Sequence, residues 1–288
     1  MSVIEIENLT KTYKGKKGAR IQALKGLTLD IAAGEVFGFL GPNGAGKSTT
    51  IKLLMGLVMP TSGEAKVMGH AVNSKTSRLY VGYLPENPAF YDFLSADEYL
   101  DFVGTTFRMN RTLLEQRKET VLTLLELQGA RKRSIRGYSK GMVQRLGLAQ
   151  VMIHDPDVYI LDEPMSGLDP MGRALVKNII MELKARGKSV FFSTHITSDV
   201  ESVCDRVGII IDGVLKAVER VDYIMTTGIT GYIVQTKTQD GNVSEVYLEK
   251  DRLNAFLTAQ SETGGQITLV EPKRKNLEEF FLDVVRGS

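Results

Sequence analysis

Apolar and polar residues alternate through VIEIENL (residues 3–9) and again through ALKGLTLDI (23–31), the two-residue period of strands with one buried face. VFGFL (36–40) is apolar throughout, as a strand covered on both sides must be. A glycine-rich turn leads into TTIKLLMGLV, whose spacing predicts a helix that stops before Pro60. TSGEAKV and RLYVGYL (78–84) return to the strand pattern. Between residues 87 and 150 the period lengthens. Ser95-Ala96-Asp97-Glu98 is a capping-box sequence opening EYLDFVGTTF, and RTLLEQRKETVLTLLEL (111–127) has helical apolar spacing that ends near Gly129.

VYILD (158–162), SVFFST (189–194) and VGIII (207–211) predict further strands, and Asp212-Gly213 after the last is a hairpin signal. PMGRALVKNIIMELKARGK predicts a helix with Pro170 near its start and Gly187 at its end. The alternation of strand and helix is that of an α/β core carrying a helical insertion. From residue 222 a smaller α+β unit is expected: GYIVQT and VSEVYLE as strands around an Asp240-Gly241-Asn242 turn, LNAFLTAQ helical, ITLVEP extended, and NLEEFFLDVV a closing amphipathic helix. The expected domains are therefore 1–221, with the insertion at 87–150, and 222–288.

Composition narrows the partners. The 288 residues are 43% hydrophobic and 24% charged, the balance of an ordinary soluble protein. Lys+Arg 36 against Asp+Glu 34 leaves +2, too small a surplus to imply nucleic acid. The lone cysteine, Cys204 in SVCDRVGII, excludes an internal disulfide framework, fits a reducing cytosol and reads as a buried structural thiol. No run approaches the roughly 20 apolar residues of a membrane span, and MSVIEIENLT is unlike a signal peptide. Any attachment to a membrane is expected to come through a partner.

GPNGAGKST (41–49) satisfies G-x-x-x-x-G-K-[ST] between an expected strand and an expected helix. Its residues Gly41, Pro42, Asn43, Gly44, Ala45, Gly46, Lys47, Ser48 and Thr49 form a phosphate cradle. Lys47 reaches the β- and γ-phosphates, and the Ser48 hydroxyl can ligate Mg²⁺. Asp162 and Glu163 close a buried strand, where ligands of open α/β sheets sit; Asp162 would hold Mg²⁺ and Glu163 would polarise the attacking water. His195, after FFST, reaches the same sheet edge. His70 and His154 have no such company. GYSKGMVQRLGLAQ (137–150) sets Ser139 and Gly141 in a turn before a helix, a second place suited to an anion. RKRSIR (131–136) and the lysines Lys14, Lys16 and Lys17 read as solvated charge.

GPNGAGKST, GYLPE, YSKGM-x-QRL, ILDEP, SGLDP and STH, in this order, resemble the ATP-binding cassette ATPases over residues 1 to about 220. The resemblance implies a P-loop NTPase fold: a RecA-like core with an antiparallel β subdomain and an inserted helical subdomain. It implies ATP and Mg²⁺ as ligands, and Tyr13 of LTKTYKG as the aromatic that stacks on adenine. Ser139 and Gly141 would touch the γ-phosphate of an ATP held by a second copy, in a head-to-tail dimer around two nucleotides. Ser166, Gly167, Leu168 and Asp169 match the loop crossing that interface, with Asp169 counted among the nucleotide contacts, and His195 matches the switch histidine.

Two departures stand out. Tyr138, Lys140 and Met142 replace Leu, Gly and Gln of the commoner LSGGQ signature, and Glu86 stands where many members carry glutamine, within reach of Mg²⁺ or the attacking water. The insertion, with Asn87 to Tyr91, would receive a cytoplasmic helix of a separate transmembrane permease subunit, with Phe90, Tyr91 and Phe93 either anchoring it or packing in the core. YLPE, YSKGM and NLEEFFLDVV resemble the export branch, with a cytoplasmic placement on the inner membrane face. An importer ATPase, a soluble cassette protein and an unrelated P-loop GTPase are the alternative readings.

Overall fold

The computed structural model describes residues 1–15, 19–227, 229–237, 242–262, 266–274 and 276–287. The first alternating stretches become long paired strands, β1 (Ser2–Lys14) and β2 (Arg20–Ala32), with Ile4, Ile6 and Leu9 facing inward. The uniformly apolar run is β3 (Val36–Leu40), followed by α1 (Lys47–Leu54). Gly56, at φ 62°, ends that helical stretch earlier than the apolar pattern implied. β4 (Ser62–Val67) and β5 (His70–Ala71) complete an antiparallel sheet of order β2-β1-β4-β5.

RLYVGYL divides. Ser77–Tyr80 is a 3₁₀ turn, and Val81–Leu84 alone forms β6, pairing with a later strand. The exposed side chain of Leu79, 63% accessible, explains why apolar character misled there. The insertion holds α2 (Ala96–Thr106), α3 (Arg111–Leu124) and α4 (Lys140–Met152). Ser95 and Glu98 form the expected capping box. Helix α3 stops before Glu126, which takes φ 55°, three residues short of Gly129.

β7 (Val158–Asp162), α5 (Pro170–Ala185), β8 (Ser189–Thr194), α6 (Thr197–Val203) and β9 (Arg206–Ile211) follow, and β10 (Val214–Arg220) carries the chain across the end of the first unit at Val218. The six-stranded sheet runs β10-β9-β3-β8-β7-β6, with β9, β3, β8, β7 and β6 parallel. Its alternate residues feed two cores. Phe37, Phe39, Ile160 and Phe191 pack toward β1, β2, β4 and α1, whereas Tyr159, Leu161, Val190 and Phe192 pack toward α2–α5. A central parallel strand buried on both faces therefore loses the alternation of an edge strand. Asp212 and Gly213, at φ 48° and 78°, make the turn between β9 and β10.

The chain divides into compact units Met1–Val218 and Glu219–Ser288. The second contains α7 (Val221–Thr227), β11 (Ile229–Lys237), β12 (Val243–Glu249), α8 (Leu253–Glu262), β13 (Gln266–Arg274) and α9 (Leu277–Arg286). Its sheet is antiparallel, in order β12-β11-β13, around the fully buried Val234. Asp240 and Gly241 of the expected turn, and Lys16 and Lys17, lie outside the described residues. Helices α6 and α7, seven residues each, had no counterpart in the sequence reading. Among the described residues no helix is long and apolar enough to cross a membrane.

Candidate functional site

The loop between β3 and α1 is built by backbone geometry. Gly46 caps α1 at φ 112°, and a Cβ there would stand 2.7 Å from the Ala23 carbonyl oxygen, so no other residue fits. The Gly41 N–H donates to Thr194 O, Ala45 N–H to Pro42 O, and Gly213 N–H to Ala45 O. These bonds fix Gly41, Pro42 and Ala45 as the frame of the loop. Lys47, only 5% exposed, points its ammonium back to Gly41 O at 2.7 Å and Pro42 O at 3.2 Å. A cation so nearly sealed needs anionic company, and Glu163 Oε1 supplies some at 3.5 Å.

The carboxylates arrive from β7. Asp162 Oδ1 accepts from Ser48 Oγ at 3.3 Å and from Ser193 Oγ at 2.6 Å. Glu163 follows in the left-handed region at φ 49°, an uncommon conformation for a side-chain-bearing residue. Its N–H donates to Ser193 O at 3.2 Å and to Ser193 Oγ at 3.1 Å. One buried hydroxyl therefore donates to the first carboxylate and accepts from the backbone of the second. His195 Nδ1 lies 3.1 and 3.0 Å from Glu163 Oε1 and Oε2. The tautomer protonated on Nδ1 donates to that carboxylate and leaves Nε2 as an acceptor. Burial, with Asp162 beside it, raises the phenol of Tyr83 on β6 above its usual range.

Asn43, Gly44, Gly46, Lys47, Ser48, Thr49, Glu86, Glu163 and His195 line one open cleft of about 460 Å³. Ser166, expected in the interface loop, lines it as well, and so does Ala23, which the sequence did not single out. Ser193, behind it, was also missed. Its signal lay in strand register, since β8 pairs with β7 so that Ser193 stands opposite Asp162.

Eight expected residues are not among the cleft's lining: Gly41, Pro42 and Ala45 frame its loop, Asp162 bonds Ser48 beside it, and Tyr13, Ser139, Gly141 and Asp169 are placed by other contacts. Tyr13, near the end of β1, has Lys11 Nζ 5.0 Å from its ring centroid. Ser139 caps α4, accepting from Met142 N–H at 3.3 Å, with Gly141 in the first turn. Asp169 caps α5, accepting from Gly172 N–H at 2.8 Å. The signature turn packs beside that loop, for the Lys140 side chain lies over Gly167.

Phe90 is half-buried, edge-on to Tyr99 at 4.9 Å, whereas Tyr91 and Phe93 remain 57% and 68% exposed. In RKRSIR, Arg131 pairs with Asp97 and Glu119, Arg136 pairs with Asp92, and Arg133 stacks on Tyr138. Cys204 is partly buried against the core, where burial pushes its thiol well above its usual range.

A family model described as ABC transporter matches residues 24–166. An uncharacterized ABC transporter ATP-binding protein of Synechocystis sp. is 36% identical over 99% of this chain and 85% of its own length. The bacitracin transport ATP-binding protein BcrA of Bacillus licheniformis is 31% identical over 99% of this chain and 98% of its own. A dimeric structure of the ATP-binding cassette MJ0796, in a post-hydrolysis state bound to ADP and Pi, aligns at TM-score 0.70 and 26% identity, covering 76% of this chain and 98% of that one.

Proposed function

The chain belongs to the ABC transporter family as an ATP-binding, ATP-hydrolysing subunit, and from there we propose that it drives an exporter. Two copies work as a head-to-tail pair, on the cytoplasmic side, against separate membrane-spanning subunits. The observation that carries this reading is the division of phosphate-seeking groups. Lys47, Ser48, Glu163 and His195 share one cleft, whereas Ser139 and Gly141 stand outside it at the start of α4. Groups suited to phosphate but absent from their own chain's cleft are supplied to another chain's nucleotide. The dimeric cassette similar to this chain supports that arrangement.

In each cleft, backbone N–H groups of residues 43–49 and the Lys47 ammonium hold the phosphates. Ser48, Asp162 and Glu86 offer hydroxyl and carboxylate oxygens, the donors Mg²⁺ favours. Among the described residues no group of three or more His, Cys, Asp or Glu forms a metal cluster, which suits a cation that takes much of its shell from phosphate and water. When bound, Mg²⁺ supplies positive charge to the phosphate oxygens.

Glu163 accepts the proton of the attacking water, and His195 orients its carboxylate through Nδ1. Lys47 opposes charge build-up on the same side. Binding of two nucleotides closes the pair, and hydrolysis releases it. The exposed Tyr91 and Phe93 offer an apolar contact for the membrane partner. The match to a bacitracin transport protein runs through the C-terminal unit as well, which supports a part for that unit in transport.

Purification of the tagged chain from its native membrane tests this reading. The expected result is an integral membrane protein carried with it, and ATP-dependent movement of cargo away from the face that holds the chain. Movement toward that face would make it an importer subunit.

A further inference from the structure

Asp199 is buried to 1% exposure on α6, four residues after His195. Two cations of α5 meet it: Arg173 Nη2 at 2.7 Å and Lys177 Nζ at 3.2 Å, both partly open to solvent. Lys177 also donates to Ser198 O at 3.4 Å. We propose that Asp199, with Arg173 and Lys177, is a positioning clamp that fixes His195 against Glu163 and ties it to the loop running from Ser166 to Asp169. The proposal rests on the hydrolytic reading of that site.

Few polar contacts hold the histidine itself. Its side chain is 46% exposed, and its ring nitrogen bonds only Glu163 among the described residues. Helix α6 has seven residues and no side-chain N-cap, so its own hydrogen bonds place it poorly. Thr194 Oγ1 accepts from Ile196 N–H at 3.1 Å, which fixes the turn but not the helix beyond it. Val200 packs α6 against β3 at Gly38, while the charged tie from α6 to α5 is made by Asp199, with the Lys177–Ser198 bond beside it.

On the other side, Asp169 caps α5, and Arg173 N–H donates to Asp169 O one turn later. Arg173 thus joins the first turn of α5 to the first turn of α6. Glu163, Ser166, Thr194, Ile196 and Asp199 also border one narrow interior seam, so the loop, the base and the clamp are packed together. A displacement of the Ser166–Asp169 loop by a second copy would pull on Asp199 through Arg173, and through α6 on His195. The buried carboxylate holds two cations whose outer faces are wet. Asp199→Asn therefore releases the tie and leaves charges that water can solvate.

The test is a double-mutant cycle on full-length protein, reading ATP affinity, turnover and thermal stability for Asp199→Asn, His195→Ala and the pair. ATP affinity should stay within about twofold of wild type, since Lys47 and Ser48 are untouched, while turnover falls about tenfold. Adding His195→Ala should then cost much less than it does in wild type, because its geometry is already lost. Asp199→Glu should recover part of the rate. Independent, multiplicative losses would overturn the clamp while leaving the hydrolytic reading intact. A His195→Ala protein with wild-type turnover would bring down that reading and the clamp with it. If Asp199→Asn fails to fold, Arg173→Gln, which keeps the Lys177 pair, takes its place in the same cycle with the same expectations.

Discussion

Ser193 shows what a motif cannot announce. Its hydroxyl, fully buried, donates to Asp162 at 2.6 Å and accepts from the Glu163 N–H at 3.1 Å. Ser193→Ala would leave a buried carboxylate oxygen one donor short, at a cost of about 1–3 kcal/mol. The expected result is a raised Mg²⁺ requirement and slower turnover at unchanged ATP affinity; an unchanged Mg²⁺ titration would deny Ser193 that role. The phosphate loop was legible because its residues are contiguous and their spacing is itself the chemistry. Ser193 and Ala23 were not, because strand pairing and the glycine packing at Gly46 bring them there.

His154 offers a different reading of a lone histidine. It stacks on Phe107 with centroids 3.7 Å apart, and among the described residues neither ring nitrogen makes a well-formed hydrogen bond, although the Val81 backbone stands near it. Burial lowers its pKa to about 4; the Val81 backbone opposes the shift, Arg117 and Lys188 add repulsion against protonation, and Asp155 offsets them. The unfolded chain therefore binds this proton more readily between about pH 6.5 and 4, so stability falls as pH falls through that window, by up to about 3 kcal/mol. Above it the group contributes nothing to the slope. Melting curves of His154→Phe, which keeps the stack, should be flatter over the same interval. An equally steep slope would assign the acid sensitivity to other groups.

Helix starts were easier to read than helix ends. Ser95, Asn110, Asp169 and Asn276 all cap their helices by accepting from backbone N–H groups, and the Ser95–Glu98 box has both of its bonds. Ser95→Ala should lower stability by about 1 kcal/mol in chemical denaturation without changing ATP turnover. A turnover loss larger than the stability loss would mean that α2 contributes to the chemistry. Ends are harder because side-chain-bearing residues adopt the left-handed region as well as glycine. Glu126 does so at φ 55°, ahead of Gly129. Short elements between strong ones escaped notice. Residues 197–203 have too few turns to show a period, although α6 carries Asp199.

The whole first unit follows from one sheet buried on both faces. Its uninterrupted apolar strands marked it as the centre, and the carboxyl ends of β3, β7 and β8 bring Lys47, Asp162, Glu163 and His195 to one edge. In the proposed pair Ser139 and Gly141 serve the nucleotide of a second copy, a requirement that a sequence shows only as a surplus phosphate site. Sedimentation of full-length Glu163→Gln, at saturating ATP and Mg²⁺, tests that requirement most directly. The account predicts turnover reduced more than about a hundredfold and a shift from one copy to two that Ser139→Arg abolishes. A protein that stays a single copy with ATP bound, or pairs equally well with arginine at position 139, would contradict it.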